Sequence, residues 1–236
     1  MKMKIDYNKA KKLLEDKQSL TQEEYSKRFW DLWEKLYENS HLLDSKADRE
    51  LKTKGGRKMI KPNWAYVDMD GVITPFFEGL AKEFNVNHWK EIPTQQEVID
   101  KITGTDFFSR LGIFPTTVKF LHMIERYTKG RWSILSTPLK GDEENSAKHK
   151  DKWLDQVFGF AFDNDFNKKR FYSDKKWMWA TDTGEISSGK PNLLIDDRPT
   201  NLEEFKAKGG LTIRYQANES KLENLENKLI HLFGKA

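Results

Sequence analysis

Trp64-Ala65-Tyr66-Val67-Asp68-Met69-Asp70-Gly71-Val72-Ile73 is an apolar run that leads into two aspartates and a glycine. The apolar residues predict a buried β-strand. Because side chains alternate along a strand, Asp68 and Asp70 point the same way, and Gly71 permits a tight turn directly after them. Two such carboxylates suit a magnesium site, or a nucleophile beside a general acid. The alternative is an ordinary surface turn, since Asp and Gly are common turn residues.

Two further apolar runs end in residues that can carry chemistry. Leu193-Leu194-Ile195 leads into Asp196-Asp197, and Trp132-Ser133-Ile134-Leu135 ends at Ser136 and Thr137. Strands that alternate with helical segments predict a parallel sheet with helices on both faces, whose site residues collect at one edge. Carboxylates crowded there would repel one another and need a cation. Because their ligand atoms are all oxygens, Mg²⁺ is favoured over zinc.

The chain divides into an extension and a main domain. Residues 1–63 predict a helical N-terminal extension, with an aromatic packing face, that ends in a basic, glycine-containing linker. Residues 64–236 predict an α/β domain in which a small helical cap occupies about residues 74–114. The predicted fold is therefore a three-layer, doubly wound parallel sheet with a cap and an N-terminal helical extension.

Composition narrows the function classes. The 236 residues carry a net charge of +4, which suits an anionic substrate without arguing for nucleic acid. The absence of cysteine excludes disulfides, thiolate metal sites and a cysteine nucleophile. No apolar run is long enough to span a membrane. We expect a soluble, cytoplasmic protein without a membrane partner; nucleic-acid binding is not favoured but stays open, as does a homodimer.

The order of the motifs resembles that of the haloacid dehalogenase-like (HAD) phosphohydrolases, and within them most closely the 5'(3')-deoxyribonucleotidases. The resemblance covers roughly residues 64 to 215. The segments that carry it are Asp68-Met69-Asp70-Gly71-Val72, Asp106-Phe107-Phe108 leading to Pro115, Leu135-Ser136-Thr137-Pro138-Leu139-Lys140, Lys150-Asp151-Lys152-Trp153, Asp174-Lys175 and Leu193-Leu194-Ile195-Asp196-Asp197-Arg198-Pro199.

The resemblance implies roles for the carboxylates. Asp68 would be the nucleophile that forms an aspartyl phosphate. Asp70 would protonate the leaving oxygen and then accept a proton from the attacking water. Mg²⁺ would be held by Asp68, the main-chain carbonyl of Asp70 and the Asp196/Asp197 pair.

The resemblance also implies a phosphate pocket. Ser136 and Thr137 would bind phosphoryl oxygens, although they could instead form only a helix cap. Lys175 would neutralise the transition-state charge. The family places its lysine nearer to the second acidic motif and usually has a basic residue where this chain has Ser173. The alternative lysines are Lys150, Lys152 and Lys176.

Aromatic residues of the cap are candidates for substrate recognition. Phe76, Phe107 and Phe108 lie where the family encloses the base and the sugar, and stacking on such rings contributes about 1–3 kcal/mol per base. The alternative is that they form the cap's own core, which we favour for Phe108. Lys140 could contact substrate or lie in solvent.

The sequence thus predicts a Mg²⁺-dependent phosphomonoesterase that hydrolyses (deoxy)nucleoside monophosphates. One alternative is a phosphatase of polynucleotide ends or of another small phosphate ester, which would release phosphate from end-labelled oligonucleotides but little from dUMP or dTMP. The other is a nucleic-acid- or protein-binding module with a vestigial phosphatase site. The intact acidic motifs argue against that module.

Overall fold

The computed structural model describes residues 61–92, 94–163, 166–181 and 190–234. The predicted N-terminal extension, and all of its linker before residue 61, lie outside the described residues.

Five parallel strands form one sheet in the described part of the chain, in the order β3-β2-β1-β4-β5. Val67 of the central strand is in register with Ile134 on one side and with Ile195 on the other. The prediction of an α/β fold with a parallel sheet is confirmed. The strands are β1 (Ala65–Val67), β2 (Trp132–Ser136), β3 (Arg170–Tyr172), β4 (Leu193–Asp196) and β5 (Leu211–Arg214).

Helices connect and flank these strands. The α-helices are α1 (Phe76–Glu83), α2 (Gln95–Ile102), α3 (Thr117–Thr128), α4 (Glu143–Ala161), α5 (Pro199–Ala207) and α6 (Leu222–Phe233). Single 3₁₀ turns cover Trp89–Glu91, Phe107–Arg110 and Lys176–Trp179. Thr94 caps the start of α2, because its side chain accepts a hydrogen bond from the Glu97 amide at 3.2 Å.

Apolar side chains cover both faces of the sheet. On one face, Leu135 and Leu194 pack with Leu202 and Phe205 of α5 in a buried cluster. Side-chain alternation places Trp132 on the opposite face, where its ring meets that of Phe158 in α4 at a centroid distance of 6.0 Å. The arrangement is consistent with three layers.

The segment between β1 and α3 holds α1, α2 and two of the 3₁₀ turns. Leu80, Ile102, Phe107 and Phe108 form a separate buried cluster there. The segment predicted as a helical cap, at about residues 74–114, therefore contains the two α-helices α1 and α2 and a small hydrophobic core of its own. Within the described ranges, no helix has the length and apolar character needed to cross a membrane.

Candidate functional site

The strand order places β1 beside β4 at the point where the chain changes direction across the sheet. From β1 the chain builds outward to β2 and β3 on one side, and afterwards to β4 and β5 on the other. Crevices at the carboxyl ends of such neighbouring strands are the usual ligand sites of open parallel sheets. Asp68 directly follows β1, Asp196 ends β4, and the Asp68 amide donates to the Ile195 carbonyl at 3.0 Å.

Three buried aspartates meet at this crevice. Asp68, Asp196 and Asp197 each offer a carboxylate oxygen, and these oxygens lie within 4.8 Å of one another. Residues more than a hundred positions apart in the chain therefore form one group that could hold a metal ion. The fourth predicted carboxylate, that of Asp70, is directed instead to Lys150, with its Oδ2 at 2.7 Å from Nζ.

The chemistry of this acid cluster (Asp68, Asp196 and Asp197) fits a hard divalent cation. Burial, and then the neighbouring carboxylates of Asp68, Asp196 and Asp70, raise the pKa of Asp197 to about 7. Its buried Oδ1 has no hydrogen-bond partner among the described residues. Burial also raises the pKa of Asp196, and the Asp68 charge adds to this effect. A cation would relieve the repulsion, and carboxylate oxygens are ligands that Mg²⁺ accepts.

Lys176 supplies a positive charge inside the acid cluster. Its buried Nζ lies 2.8 Å from Asp68 Oδ1 and 2.7 Å from Asp196 Oδ2. Burial alone would lower the pKa of Lys176, but the two carboxylates outweigh it and hold the pKa above its ordinary value. The lysine therefore stays charged, and it joins the ends of β1 and β4 electrostatically.

The structure does not bring Lys175 into the acid cluster. Its side chain is exposed, whereas that of the next residue is buried. The 3₁₀ turn that begins at Lys176 sends consecutive side chains in different directions, and only Lys176 points to the carboxylates. Lys176, one of the alternatives weighed from the sequence, replaces Lys175 as the candidate. Lys152, another of those alternatives, is exposed.

Lys150, the remaining alternative, occupies a second buried position beside the acid cluster. Its Nζ donates to Asp70 Oδ2 at 2.7 Å, to Ser136 Oγ at 3.0 Å and to the Thr137 carbonyl at 2.7 Å. The ring of Phe108 lies on another side, with its centroid 4.7 Å from Nζ. Lys150 thus ties α4 to the ends of β1 and β2.

The turn after β1 brings its residues close to Asp197. Gly71 has a φ of +78°, and a Cβ at this position would lie 2.5 Å from Asp197 Oδ2. Only glycine fits this conformation and this approach without strain. Thr74 completes the turn, because its hydroxyl donates to the Met69 carbonyl at 3.1 Å and to Asp70 Oδ1 at 3.3 Å.

The two predicted hydroxyl residues lie at the same edge of the sheet. Ser136 is the buried last residue of β2, and Thr137 follows it half-buried. The Ser136 hydroxyl accepts a hydrogen bond from Lys150 at 3.0 Å. The alternative role of the pair as a helix cap is not observed, because α4 begins only at Glu143.

The predicted recognition residues differ in placement. Phe107 is only 2% exposed and belongs to the core of the segment between β1 and α3, as does Phe108. Phe76 is half-buried and stacks on Phe108 at a centroid distance of 6.0 Å. Lys140 is exposed. Of these residues, Phe76 and Lys140 have side-chain surface open to a ligand, whereas Phe107 has almost none.

Sequence reasoning missed two residues of the site, Thr74 and Asn201. Asn201 Nδ2 donates to Asp196 Oδ2 at 3.0 Å from the first turn of α5, and the Arg198 amide donates to Asp196 Oδ1 at 2.8 Å. The signal was present in the sequence, because a polar residue in the first turn of a helix that begins directly after a strand can reach back to that strand's last residue.

A scan against protein-family models and a search of curated proteins each returned no match. The family resemblance of the motifs therefore stays a prediction, and the functional argument rests on the geometry of the site.

Proposed function

We propose that the protein is a Mg²⁺-dependent phosphomonoesterase of the haloacid dehalogenase-like type that hydrolyses (deoxy)nucleoside monophosphates to nucleoside and phosphate. One observation carries the proposal. Carboxylates from the ends of two separate strands, Asp68 on one and Asp196 with Asp197 on the other, converge so that one oxygen of each lies within 4.8 Å of the others. The buried Lys176 and a fourth carboxylate, that of Asp70, lie beside them.

The reaction has two in-line steps. In the first, a carboxylate oxygen of Asp68 attacks phosphorus, the ester P–O bond breaks, and Asp70 gives its proton to the leaving oxygen. In the second, water attacks the phosphorus of the aspartyl phosphate and gives a proton to Asp70. The acyl P–O bond then breaks, phosphate leaves and Asp68 returns to its carboxylate form. Dividing the hydrolysis lowers each barrier.

Asp68, Asp196 and Asp197 would hold the cation. When bound, Mg²⁺ supplies positive charge that screens the phosphate from an anionic nucleophile. Lys176 adds a fixed charge on the same side, since it contacts Asp68 at 2.8 Å. Its ammonium donates a hydrogen bond to Asp196 at 2.7 Å and forms an ion pair with Asp68, so its charge would also face a phosphoryl oxygen bound beside Asp68.

Hydroxyl donors complete the phosphate pocket. Ser136 ends β2 and Thr137 follows it. Because β2 is the direct neighbour of β1, both lie on the side of Asp68 opposite to β4. A phosphoryl group at Asp68 would then have Lys176 and the cation on one side and the two hydroxyl residues on the other. This enclosure stabilises the charge that spreads over the phosphoryl oxygens in the transition state.

Nucleoside monophosphates are proposed as substrates from the motif resemblance and from the aromatic ring of Phe76, which is only half-buried. The net charge of +4 agrees with an anionic substrate. A phosphatase of polynucleotide ends uses the same chemistry, so the assay must separate the two substrate classes.

The test measures inorganic phosphate released from a panel of nucleoside monophosphates and from end-phosphorylated oligonucleotides, with and without Mg²⁺. We expect turnover of the monophosphates in Mg²⁺, none after chelation, and none by Asp68→Asn. Circular dichroism checks that the variant remains folded. Release from oligonucleotides alone would redirect the proposal to polynucleotide ends, and equal rates for Asp68→Asn and wild type would refute it.

A further inference from the structure

The ammonium of Lys150 is fully enclosed. Its side chain is 0% exposed, whereas that of its ion-pair partner Asp70 is 24% exposed. The acceptors Asp70 Oδ2, Ser136 Oγ and the Thr137 carbonyl surround Nζ at 2.7, 3.0 and 2.7 Å. The ring of Phe108 lies 4.7 Å from Nζ.

This enclosure uses every donor of the group. An ammonium has three N–H bonds, and three acceptors lie at hydrogen-bond distance. Lys150 consequently has no proton left for a substrate oxygen, in contrast to Lys176, which contacts two acceptors. The two buried lysines therefore have different roles, and Lys150 acts on the protein's own groups.

The contact with Lys150 gives the two carboxylate oxygens of Asp70 different surroundings. An ammonium only donates, so Oδ2 accepts from it and is held facing Lys150. The other oxygen, Oδ1, has Thr74 Oγ1 at 3.3 Å, and that hydroxyl also donates to the Met69 carbonyl at 3.1 Å. Oδ1 is therefore the oxygen of Asp70 that does not contact Lys150.

We propose that Lys150 is a positioning residue for Asp70: it fixes Oδ2 and so directs Oδ1, with its proton, to the leaving oxygen of the substrate. The inference rests on the proposed phosphatase function. The positive charge also stabilises the Asp70 carboxylate that remains after the proton is given up. Phe108 covers the ammonium, which explains why this aromatic residue is buried beside the site.

The proposal predicts that the effect of losing Lys150 depends on the leaving group. p-Nitrophenolate leaves without a proton, whereas the sugar alkoxide of dUMP needs one. Loss of the contacts to Ser136 and Thr137 affects both substrates, so the ratio between them is the readout. We expect Lys150→Met to lower kcat/KM for dUMP about 10²-fold more than kcat/KM for p-nitrophenyl phosphate, in line with the typical contribution of general acid catalysis. The ratio kcat/KM is chosen because it covers only the steps up to loss of the leaving group.

Three further variants complete the design. Asp70→Asn should show the same leaving-group pattern as Lys150→Met, because both act on one proton transfer. Lys148→Met removes an exposed lysine of the same helix and should match wild type with both substrates. Lys150→Gln is neutral but keeps two N–H donors, so it provides a second measurement if the methionine variant fails to fold.

The outcomes separate the inference from the function on which it rests. A wild type that hydrolyses neither dUMP nor p-nitrophenyl phosphate would overturn the proposed function. An active wild type whose Lys150→Met and Lys150→Gln variants lose the same factor with both substrates would overturn only the positioning role, because a purely structural lysine affects every substrate equally.

Discussion

Lys176 is the buried charge on which the acid cluster depends. Its ammonium lies between Asp68 and Asp196, at 2.8 and 2.7 Å. Removing one partner of a buried ion pair leaves an uncompensated charge in a medium of low dielectric constant, which is strongly destabilising. The adjacent Lys175 is exposed, so this pair of neighbours forms a natural control.

We predict that Lys176→Met lowers the free energy of unfolding of the metal-free protein by about 3–5 kcal/mol. It should also lower phosphatase kcat by about 10²-fold or more, because charge near the transferred phosphoryl group is lost. Denaturant titration and steady-state kinetics measure the two effects.

Lys175→Met should match wild type in both measurements. If Lys175→Met lost activity while Lys176→Met kept it, the assignment of the lysines in the site would be reversed.

At the scale of the element, the turn after β1 determines whether the acid cluster can form. Gly71 has a φ of +78° and approaches Asp197 closely enough that a Cβ would lie 2.5 Å from Oδ2. Gly141 has a similar φ of +82°, but a Cβ there would meet no atom within 4 Å. The two glycines share the backbone conformation and differ in their surroundings.

Gly71→Ala and Gly141→Ala should each lower the free energy of unfolding by about 1–2 kcal/mol, because a non-glycine residue is strained at positive φ. We expect Mg²⁺ to raise the melting temperature of wild type, and only Gly71→Ala should also abolish this rise, since the new methyl group displaces the Asp197 carboxylate. Thermal melts with and without Mg²⁺ measure both. Retention of the full Mg²⁺ effect in Gly71→Ala would exclude Asp197 from the metal site.

Element boundaries followed largely from local patterns. Three apolar runs predicted β1, β2 and β4. α5 ends at Ala207, shortly before Gly209-Gly210, and glycine is a common residue after the end of a helix. The segment between β1 and α3 was less well predicted. Its helices are short and interrupted by 3₁₀ turns, and periodicity does not locate such breaks.

The site itself depends on contacts that no local pattern contains. Sequence order predicted that Asp68 would meet Asp196 and Asp197, because parallel strands share an edge. The choice between Lys175 and Lys176 could not be predicted, because a one-residue difference in a 3₁₀ turn changes the direction of the side chain. The burial of Phe107 could likewise not be predicted, because it results from tertiary packing.

At the scale of the whole molecule, stability should depend on pH through His122 of α3. Its ring lies 4.6 Å from that of Phe162, and burial lowers the pKa of His122 below its usual 6.5. The unfolded chain therefore takes up a proton at a higher pH than the folded protein does. Stability from this residue is complete above the unfolded pKa and is lost as the pH falls through 6.5 toward the lower folded value.

When the pH falls from about 7.5 to about 5.5, the free energy of unfolding should decrease less in His122→Gln than in wild type. The two decreases should differ by up to about 1 kcal/mol, as expected for a partly buried group. Denaturant titrations at the two pH values measure it. Identical pH dependence in the two proteins would show that His122 titrates alike in the folded and unfolded states.

The central claim is that a phosphoryl group is transferred to Asp68 beside a divalent cation, and trapping that group tests it most directly. Asp70→Asn should form the aspartyl phosphate from p-nitrophenyl phosphate, which needs no acid, but hydrolyse it slowly for want of a base. After acid quenching, peptide mass spectrometry should find one phosphoryl group on Asp68 when Mg²⁺ is present and none after chelation. Release of p-nitrophenol with no phosphoryl group on Asp68, or with one on another residue, would contradict the account.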